Sequence, residues 1–170
     1  KENLIRLESK KINSEGLWEN VGLAIKVALD LGIKSEKIKK TIPKIEFEGR
    51  VQFIKGKLSN NQKNKILIDG CHSDASTKNL AKYLKKFKTP IYGIWGSLKN
   101  KNPDQLIKNF KGIFKEIITI KIPNESNAMS AFDLRKIAEK NGFKAIESDG
   151  IKNSIKKFSR KEKKIIVIFG

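Results

Sequence analysis

Apolar residues recur at two different spacings along this chain. In residues 17–31 they return every three or four positions, which predicts an amphipathic helix that ends at Gly32. Ser35 is a candidate cap for a second, shorter helix, and Pro43 stops that helix. After Pro43 the apolar residues form short runs that are typical of buried strands. The pattern therefore changes from purely helical to mixed at about this proline.

The rest of the chain alternates between predicted strands and predicted helices. The predicted strands cover residues 50–54, 65–69, 91–96, 117–122, 144–147 and 165–169, with a turn-rich segment at 59–62. The predicted helices cover residues 74–87, 103–111, 130–141 and 151–159. Such alternation is typical of right-handed crossovers and of a parallel sheet covered on both faces. We therefore predict an α/β fold, a Rossmann-like three-layer sandwich with a mostly parallel sheet, preceded by a helical segment.

The charge balance is strongly basic. The chain has 37 Lys and Arg against 18 Asp and Glu, which gives a formal net charge of +19. Only four of the basic residues are Arg, whereas proteins that read bases and phosphates favour the planar guanidinium group. The lysines are also scattered over every predicted element. This pattern indicates a solvated lysine-rich surface. A basic nucleic-acid-binding domain of Rossmann-like fold is the alternative from another functional class.

Cysteine content and hydropathy indicate the compartment. The single cysteine, Cys71, cannot form an internal disulfide, which is typical of a reducing compartment. No apolar run approaches the roughly 18 residues of a membrane span, and residues 1–12 are too charged for a secretion signal. We therefore expect a soluble, cytoplasmic, monomeric protein without a membrane partner.

The turn after the second predicted strand carries candidate chemistry. Open parallel sheets bind ligands beyond the carboxyl ends of their strands, and residues 69–74 occupy such a place. Asp69 can accept hydrogen bonds from a ribose diol, and the helix start that follows favours anions. Alternatively this is an ordinary capped turn, with Ser73 or Asp74 as the cap and Asp69 bound to loop amides. His72 is the only histidine, and a lone histidine is more often structural than catalytic.

Two further turns follow predicted strands. Residues 96–103 offer small side chains, Lys99, Lys101 and a helix start, which suit a carboxylate or a phosphate but also an ordinary solvated loop. Residues 123–128 are polar and carry no specific signal. The sequence contains neither Gly-x-x-x-x-Gly-Lys-Ser/Thr nor Gly-x-Gly-x-x-Gly, so it has no dedicated loop for nucleotide phosphates. These turns therefore indicate one part of a larger active site.

Four segments share their order and spacing with a known family. Asn20 opens an Asn-x-x-x-Ala-Ile segment, and residues 47–52 read Phe-Glu-Gly-Arg-Val-Gln. Residues 67–75 read Leu-Ile-Asp-Gly-Cys-His-Ser-Asp-Ala, and residues 99–102 read Lys-Asn-Lys-Asn. Together they resemble the C-terminal part of folylpolyglutamate synthase/dihydrofolate synthase, a branch of the Mur ligase superfamily. That family has Trp-Pro-Gly-Arg-Leu-Gln, Leu-Asp-Gly-Ala-His-Asn-Pro-x-Ala and Lys-Asp-Lys-Asp at the last three places.

The departures from the family concern side chains close to the shared Asp-Gly-x-His turn. Ser73 and Asp74 replace the family's Asn and Pro, and Asn100 and Asn102 replace its two aspartates. The Asp69 position itself is kept. The Asp-Gly-x-His turn favours the folate branch over a related Mur ligase for peptidoglycan precursors, which is the nearest alternative within the superfamily.

The resemblance implies part of an ATP-dependent ligase. Such enzymes use ATP and Mg²⁺ to phosphorylate the carboxylate of dihydropteroate or a folate, and the amine of glutamate then attacks the acyl phosphate. Residues 1–43 would be the C-terminal tail of the central ATP-binding domain, and residues 44–170 the Mur ligase C-terminal domain. The phosphate loop and metal ligands would belong to an N-terminal ATPase domain outside this chain, which would be its partner. The chain alone is therefore expected to be inactive.

The resemblance also assigns site residues. Asn20 would contact the adenine, Arg50 the ribose or phosphate side of the nucleotide, and Asp69 the ribose hydroxyls. His72 would support the turn that carries Asp69. Lys101 is a candidate for the carboxylate of the incoming glutamate, because a compact ammonium can act there as a point charge. No residue of this chain is assigned to the metal or to the chemical step.

Overall fold

The structure is a computed structural model that describes residues 15–54, 64–158 and 162–170. The predicted turn at 59–62 lies outside these ranges. The helices are α1 (Glu15–Asp30), α2 (Ser35–Thr41), α3 (Asp74–Leu84), α4 (Pro103–Lys108), α5 (Ala131–Lys140) and α6 (Ile151–Phe158). The strands are β1 (Gln52–Ile54), β2 (Asn64–Asp69), β3 (Ile91–Trp95), β4 (Phe114–Thr119), β5 (Ala145–Glu147) and β6 (Lys164–Phe169). Short 3-10 helices cover Ile42–Lys44 and Lys99–Lys101.

The chain forms two compact units, one that ends at Glu48 and one that begins at Gly49. The sequence predicted a domain boundary at residues 43 and 44, and that assignment to two domains of a ligase stays a prediction. No helix in the described ranges is both long enough and apolar enough to cross a bilayer.

The first unit contains α1 and α2 with the 3-10 helix that follows them. Leu17 and Val21 of α1 are buried in one cluster with Ile38 and Ile42, so the helical spacing read from the sequence does produce a buried face. Leu31, predicted on the same face, is 76% exposed. Leu31 follows the end of α1, and within the helix Ile25 and Ala28 are partly buried against the same cluster.

The second unit is built on a six-stranded sheet. Its strand order is β1-β2-β6-β3-β4-β5. All neighbouring pairs are parallel except β1 with β2, which is antiparallel. Asp69 at the end of β2 pairs with Phe169, and Phe169 pairs with Trp95 at the end of β3. Asp69 and Lys99 therefore lie beyond strand carboxyl ends on the same edge, as predicted.

Helices cover both faces of this sheet. On one face α3, α4 and α5 bury residues such as Leu80, Ile107 and Leu134 against the strands. On the other face α6 buries Ile155 and Phe158. Because β6 is buried from both sides, its sequence reads as a nearly continuous apolar run. The predicted three-layer α/β sandwich is confirmed.

One strand differs from its prediction by three residues at each end. The strand predicted at 117–122 is β4, Phe114–Thr119. Ile91 pairs with Phe114 while Tyr92 pairs with Glu116, so Lys115 is an extra residue in the ladder. The side chain of Lys115 is exposed.

Ser73 and Ser130 cap helices, whereas the cap predicted at Ser35 does not form. Ser73 caps α3 by accepting from the Ser76 N–H, and Ser130 caps α5 by accepting from the Asp133 N–H at 3.0 Å. The predicted cap of α2, Ser35, is wrong. Ser35 is already the first helical residue, and the cap position belongs to Lys34, which makes no side-chain capping bond.

Candidate functional site

The antiparallel pairing of β1 with β2 brings two predicted site residues together. Gln52 in β1 lies opposite Ile68 in β2, so the chain just before β1 runs beside the turn that follows β2. Arg50 belongs to the first of these segments, and Asp69 is the last residue of β2, directly before the second. Residues that are distant in sequence therefore meet at the carboxyl edge of the parallel strands.

The carbonyl of Gly70 is the centre of a small hydrogen-bond network. Arg50 donates from Nη1 to Gly70 O at 2.7 Å, and His72 Nδ1 lies 2.9 Å from the same oxygen. Because a carbonyl oxygen only accepts, Nδ1 of His72 carries the proton in this contact. The Gly70 N–H donates to Gly49 O at 2.8 Å. Side chains and backbone together thus hold the turn against the segment before β1.

Asp69 is buried beneath this network, with 5% of its surface exposed. Its Oδ2 accepts the N–H of Val51 at 2.8 Å. Burial raises the pKa of the Asp69 carboxyl, while the Val51 bond, the charge of Arg50 and hydrogen bonds from Cys71 act in the opposite direction. The carboxyl therefore binds loop amides, which was one of the two interpretations left open by the sequence. Its predicted contact with a ribose stays a prediction.

Cys71 is packed next to this carboxyl and is 2% exposed. Burial raises the pKa of its thiol far above the ordinary range, and the nearby charge of Asp69 raises it further. The thiol therefore stays protonated at neutral pH, and only a thiolate is an effective nucleophile. Cys71 belongs to the support of the turn, a role that the sequence did not signal.

A cleft of ≈ 330 Å³ opens beside the turn. Two predicted site residues, His72 and Lys101, line it together. The other lining residues are Ser73, Asp74, Asn100, Asn102, Gln105 and Leu106. The cleft thus lies between the start of α3 and the turn that follows β3, as expected for a ligand site at this edge of the sheet.

The charges around the cleft favour a small anion. Asp74 is its one carboxylate, and it pairs with Lys78 Nζ at 2.6 Å and accepts from Asn109 Nδ2 at 3.0 Å. The hydrogen bonds from Lys78 and Asn109 lower the pKa of Asp74. Lys101 adds an ammonium group, and the N-terminus of α3 adds partial positive charge. A carboxylate or a phosphate fits this arrangement.

The structure brings four of the five predicted site residues to one edge of the sheet, and the fifth lies in the other unit. Arg50, Asp69 and His72 surround Gly70, and Lys101 shares the cleft with His72. Asn20 is exposed on α1, in the first unit. Its assignment to the adenine stays a prediction.

Two residues of the site could not be found from the sequence. Val51 is buried with a backbone φ of 46°, and nothing in its residue type predicts a left-handed conformation. Asn109 reaches back from the end of α4 to Asp74 and Thr77 at the start of α3. Its partners lie more than 30 residues away in sequence, so local pattern carries no signal for the contact.

The residues do not form a metal site of their own. Within the described ranges, no three His, Cys, Asp or Glu side chains come together as metal ligands.

The fold matches that of folylpolyglutamate synthases of known structure. The Mycobacterium tuberculosis enzyme complexed with ADP and AMPPCP superposes with a TM-score of 0.78 over 94% of this chain, at 18% sequence identity. The bifunctional folylpolyglutamate synthase/dihydrofolate synthase of Yersinia pestis, complexed with AMPPNP and Mn, gives a TM-score of 0.75 over 98% of this chain, at 15% identity. A bifunctional synthase with Mn, AMPPNP and L-glutamate bound gives a TM-score of 0.75 over 96%, at 15% identity.

These matches establish the fold. The chain spans 38% of the length of each of the three structures. No protein-family profile and no curated protein sequence matches it. The chain thus shares a fold with part of the folylpolyglutamate synthases, and the resemblance expected from the four sequence segments is confirmed at the level of the fold.

Proposed function

We propose that this chain is the C-terminal part of an ATP-dependent ligase that adds glutamate to dihydropteroate or to a folate. The observation that carries the proposal is the turn after β2, where Arg50 and His72 both bind Gly70 O at the carboxyl edge of the sheet. The sequence segments that build this turn are those that resemble the synthase family, and the fold is the one that those enzymes share.

The proposed reaction has two steps. A carboxylate oxygen of the pterin or folate substrate attacks the terminal phosphorus of ATP, and ADP leaves. The amine of glutamate then attacks the acyl carbon, phosphate leaves, and an amide bond forms. Mg²⁺ would neutralise the phosphate charge when bound by the partner N-terminal ATPase domain. Since this chain has no phosphate-loop motif, its residues bind and orient the substrates.

Two parts of the second unit have separate roles in this proposal. The guanidinium of Arg50 donates to the ribose or phosphate side of the nucleotide, beside Asp69 and His72. The ammonium of Lys101 pairs with a carboxylate of glutamate in the cleft lined by His72 and Lys101. The bifunctional synthase structure with Mn, AMPPNP and L-glutamate bound shows that one such enzyme binds both a nucleotide and glutamate, which supports this proposal.

The first unit fits the tail of a larger ATP-binding domain. Leu23 and Val27 of α1 and Leu31 directly after it follow one another at intervals of four residues and are 68%, 50% and 76% exposed. An exposed apolar stripe of this kind usually marks a surface that another part of a protein covers. Because the matched structures are more than twice as long as this chain, we assign the cover to the rest of the central ATP-binding domain. Asn20 on the same helix would then contact the adenine.

The nucleotide assignment is tested by ADP binding to the full-length protein, measured by calorimetry. Removal of a charged donor from a desolvated hydrogen bond costs about 1.5–3 kcal/mol, so Arg50→Ala should weaken ADP binding roughly ten- to a hundredfold. Arg135→Ala is the matched control, because Arg135 pairs with Glu139 and Glu147 on α5 and β5. Equal affinity in the wild type and in Arg50→Ala would reject the site.

The amino-acid assignment is tested by steady-state kinetics of the same protein. Lys101→Ala should raise the KM for glutamate and leave the KM for ATP unchanged, whereas exposed Lys111 should tolerate alanine. Turnover with dihydropteroate or a folate supports the folate branch. Turnover with a peptidoglycan precursor instead would assign the protein to the other branch of the superfamily.

A further inference from the structure

The amino-terminal end of the sheet is polar on the face that α6 covers. Near the starts of β3, β4 and β6, the residues on this face are Tyr92, Glu116 and Lys164, and two positions further along each strand is a buried isoleucine. These polar residues stand at the opposite end of the strands from the cleft lined by His72 and Lys101. A ligand held here would therefore be separate from the proposed nucleotide and glutamate sites.

A pocket of ≈ 230 Å³ opens at this end of the sheet, and we call it the α6 pocket. Its lining residues are Tyr92, Glu116, Ile146, Lys157, Phe158 and Lys164. The ring centroids of Tyr92 and Phe158 lie 4.9 Å apart, and Ile146 of β5 is 37% exposed. Sites for small organic molecules combine such apolar walls with a few polar groups, and this volume is below the range for drug-sized ligands. The α6 pocket therefore suits a small organic molecule.

Two ammonium groups belong to residues that line the α6 pocket. Lys164 is 2% exposed, and its Nζ donates to the carbonyl of Phe158, the last residue of α6, at 2.8 Å. The same Nζ lies 5.0 Å from the centre of the Tyr92 ring. Lys157 Nζ donates to the carbonyl of Glu147 at 2.8 Å. Because carbonyl groups are uncharged, these bonds fix the two ammonium groups in place without neutralising them.

The carboxylates around the α6 pocket have lysines outside its lining as partners. Glu116 Oε2 lies 3.2 Å from Lys144 Nζ. Glu162 accepts from the Tyr92 hydroxyl, and its two oxygens lie 3.9 Å from Lys115 Nζ and 3.9 Å from Lys164 Nζ. The charge of Asp149 interacts with that of Lys157. The four lysines, Lys115, Lys144, Lys157 and Lys164, thus outnumber the three carboxylates, and the surplus positive charge favours an anion.

We propose that the α6 pocket binds a small aromatic carboxylate. The ring of this ligand packs against Tyr92, Phe158 and Ile146, and its carboxylate pairs with the ammonium groups of Lys157 and Lys164. Aromatic rings contribute large apolar contact area in such a site, and a charged pair adds the stronger kind of hydrogen bond. This site does not depend on the proposed function, because the α6 pocket and the cleft lie at opposite ends of the strands.

The first test uses three probes of one shape: benzoate, neutral benzamide and cationic benzamidine. In the 170-residue chain, methyl NMR of isoleucine and leucine side chains should show a saturable shift at Ile146 on titration with benzoate. Because charge-assisted hydrogen bonds are about twice as strong as neutral ones, benzoate should bind roughly tenfold more tightly than benzamide, and benzamidine should bind most weakly. No saturable shift at Ile146, or equal affinity for the three probes, would overturn the proposal.

Two controls in the same titration separate the α6 pocket from general attraction of anions to a basic chain. The methyl groups of Leu106, which lines the cleft at the other end of the strands, should not shift with benzoate. Acetate has the charge without the ring and should bind at least about tenfold more weakly than benzoate. Equal affinity for acetate and benzoate, or equal shifts at Leu106 and Ile146, would show binding to surface charge and would reject the site.

Substitutions of the lysines test which groups hold the carboxylate. Lys157→Gln removes an exposed ammonium group and should weaken benzoate binding about two- to fivefold. Lys156→Gln is the matched control, because Lys156 is also exposed on α6 but lies outside the pocket lining. Lys164→Met keeps an apolar stem of similar length and should abolish saturable binding. If Lys164→Met does not fold, the Lys157 and Lys156 variants decide, and equal benzoate affinity in these two would overturn the proposal.

Discussion

Gly93 lies in the centre of the sheet beneath a group of aromatic rings. A Cβ at this position would be 3.0 Å from Phe169 Cε1 and 3.4 Å from side-chain carbons of Ile117 and Phe114. The Phe169 ring is itself held between Trp95 and Phe114, at centroid distances of 6.3 and 5.0 Å. The glycine is therefore required for space, because well-packed cores yield little to an added methyl group.

We expect Gly93→Ala to destabilise the second unit by about 1–3 kcal/mol, as overpacking usually does. Chemical denaturation followed by tryptophan fluorescence measures the loss. Gly150→Ala is the control in the same unit, since nothing lies within 4 Å of its Cβ and its φ is not positive. Equal midpoints for the two variants would mean that the aromatic group adjusts without cost.

At the scale of elements, the caps of the helices decide where each helix begins. Ser130 accepts from the Asp133 N–H at 3.0 Å and its hydroxyl donates to the Asp133 carboxylate at 2.6 Å. Ser35, which looked equivalent in sequence, makes no capping bond. A serine that precedes apolar residues at helical spacing is thus an ambiguous signal for a helix cap, because serine suits both the cap position and the first helical turn.

We expect Ser130→Ala to lower the free energy of unfolding by about 0.5–2 kcal/mol through loss of this cap. Ser35→Ala should change the stability by less than about 0.5 kcal/mol. Circular dichroism melts of both variants make the comparison. A larger loss from Ser35→Ala than from Ser130→Ala would contradict the cap assignments.

A carboxylate at the start of α4 joins two neighbouring helices. Asp104 pairs with Lys108 at 2.8 Å and accepts from Asn141 Nδ2, at the end of α5, at 3.1 Å. These two hydrogen bonds lower the pKa of Asp104 from 3.8 to about 2, with the charges of Lys108 and Lys140 as smaller causes. The ionised form is thus favoured in the folded state.

The lowered pKa of Asp104 predicts a pH dependence of known sign. A carboxyl whose pKa is lower in the folded state stabilises the fold above its unfolded pKa, and this contribution is lost as pH falls through the folded pKa. The stability difference between the wild type and Asp104→Asn should therefore be constant above about pH 5 and should shrink between about pH 4 and pH 2. Thermal melts across this range measure it. A difference that stays constant down to pH 2 would show that Asp104 is not coupled to the fold.

At the scale of the whole molecule, the proposed function divides the reaction between this chain and a partner domain. The sequence has no phosphate-loop motif, and the described residues contain no cluster of metal ligands. We therefore propose that the partner ATPase domain activates the phosphate and that this chain supplies residues that bind the substrates.

We expect the purified 170-residue chain neither to hydrolyse ATP nor to ligate glutamate. Phosphate release compared with a mock preparation is the measurement, and the full-length protein is the positive control.

The lysines of this chain should bind random DNA weakly, with an affinity that falls steeply as the salt concentration rises, because scattered charges act through counterion release alone. Specific DNA binding retained at physiological salt would favour the nucleic-acid-binding alternative.

The sequence by itself determined most of the fold. Periodicity of 3.6 and short apolar runs are local properties, so they located the helices and strands of the described residues to within a few residues. Because the predicted strands alternate with predicted helices, and such connections are right-handed crossovers, the strands were expected to form a mostly parallel sheet. From that sheet it followed that Asp69 and Lys99 lie at one edge.

Only the tertiary structure decided how the site is assembled. The last strand, β6, inserts between β2 and β3, and β1 pairs antiparallel with β2. These pairings join distant segments, so no local pattern encodes them. They bury Asp69, turn Val51 into a left-handed conformation and bring Arg50 to Gly70 O. The role of a carboxylate depends on which donors reach it and how much water remains, and both are fixed only when the strands are packed.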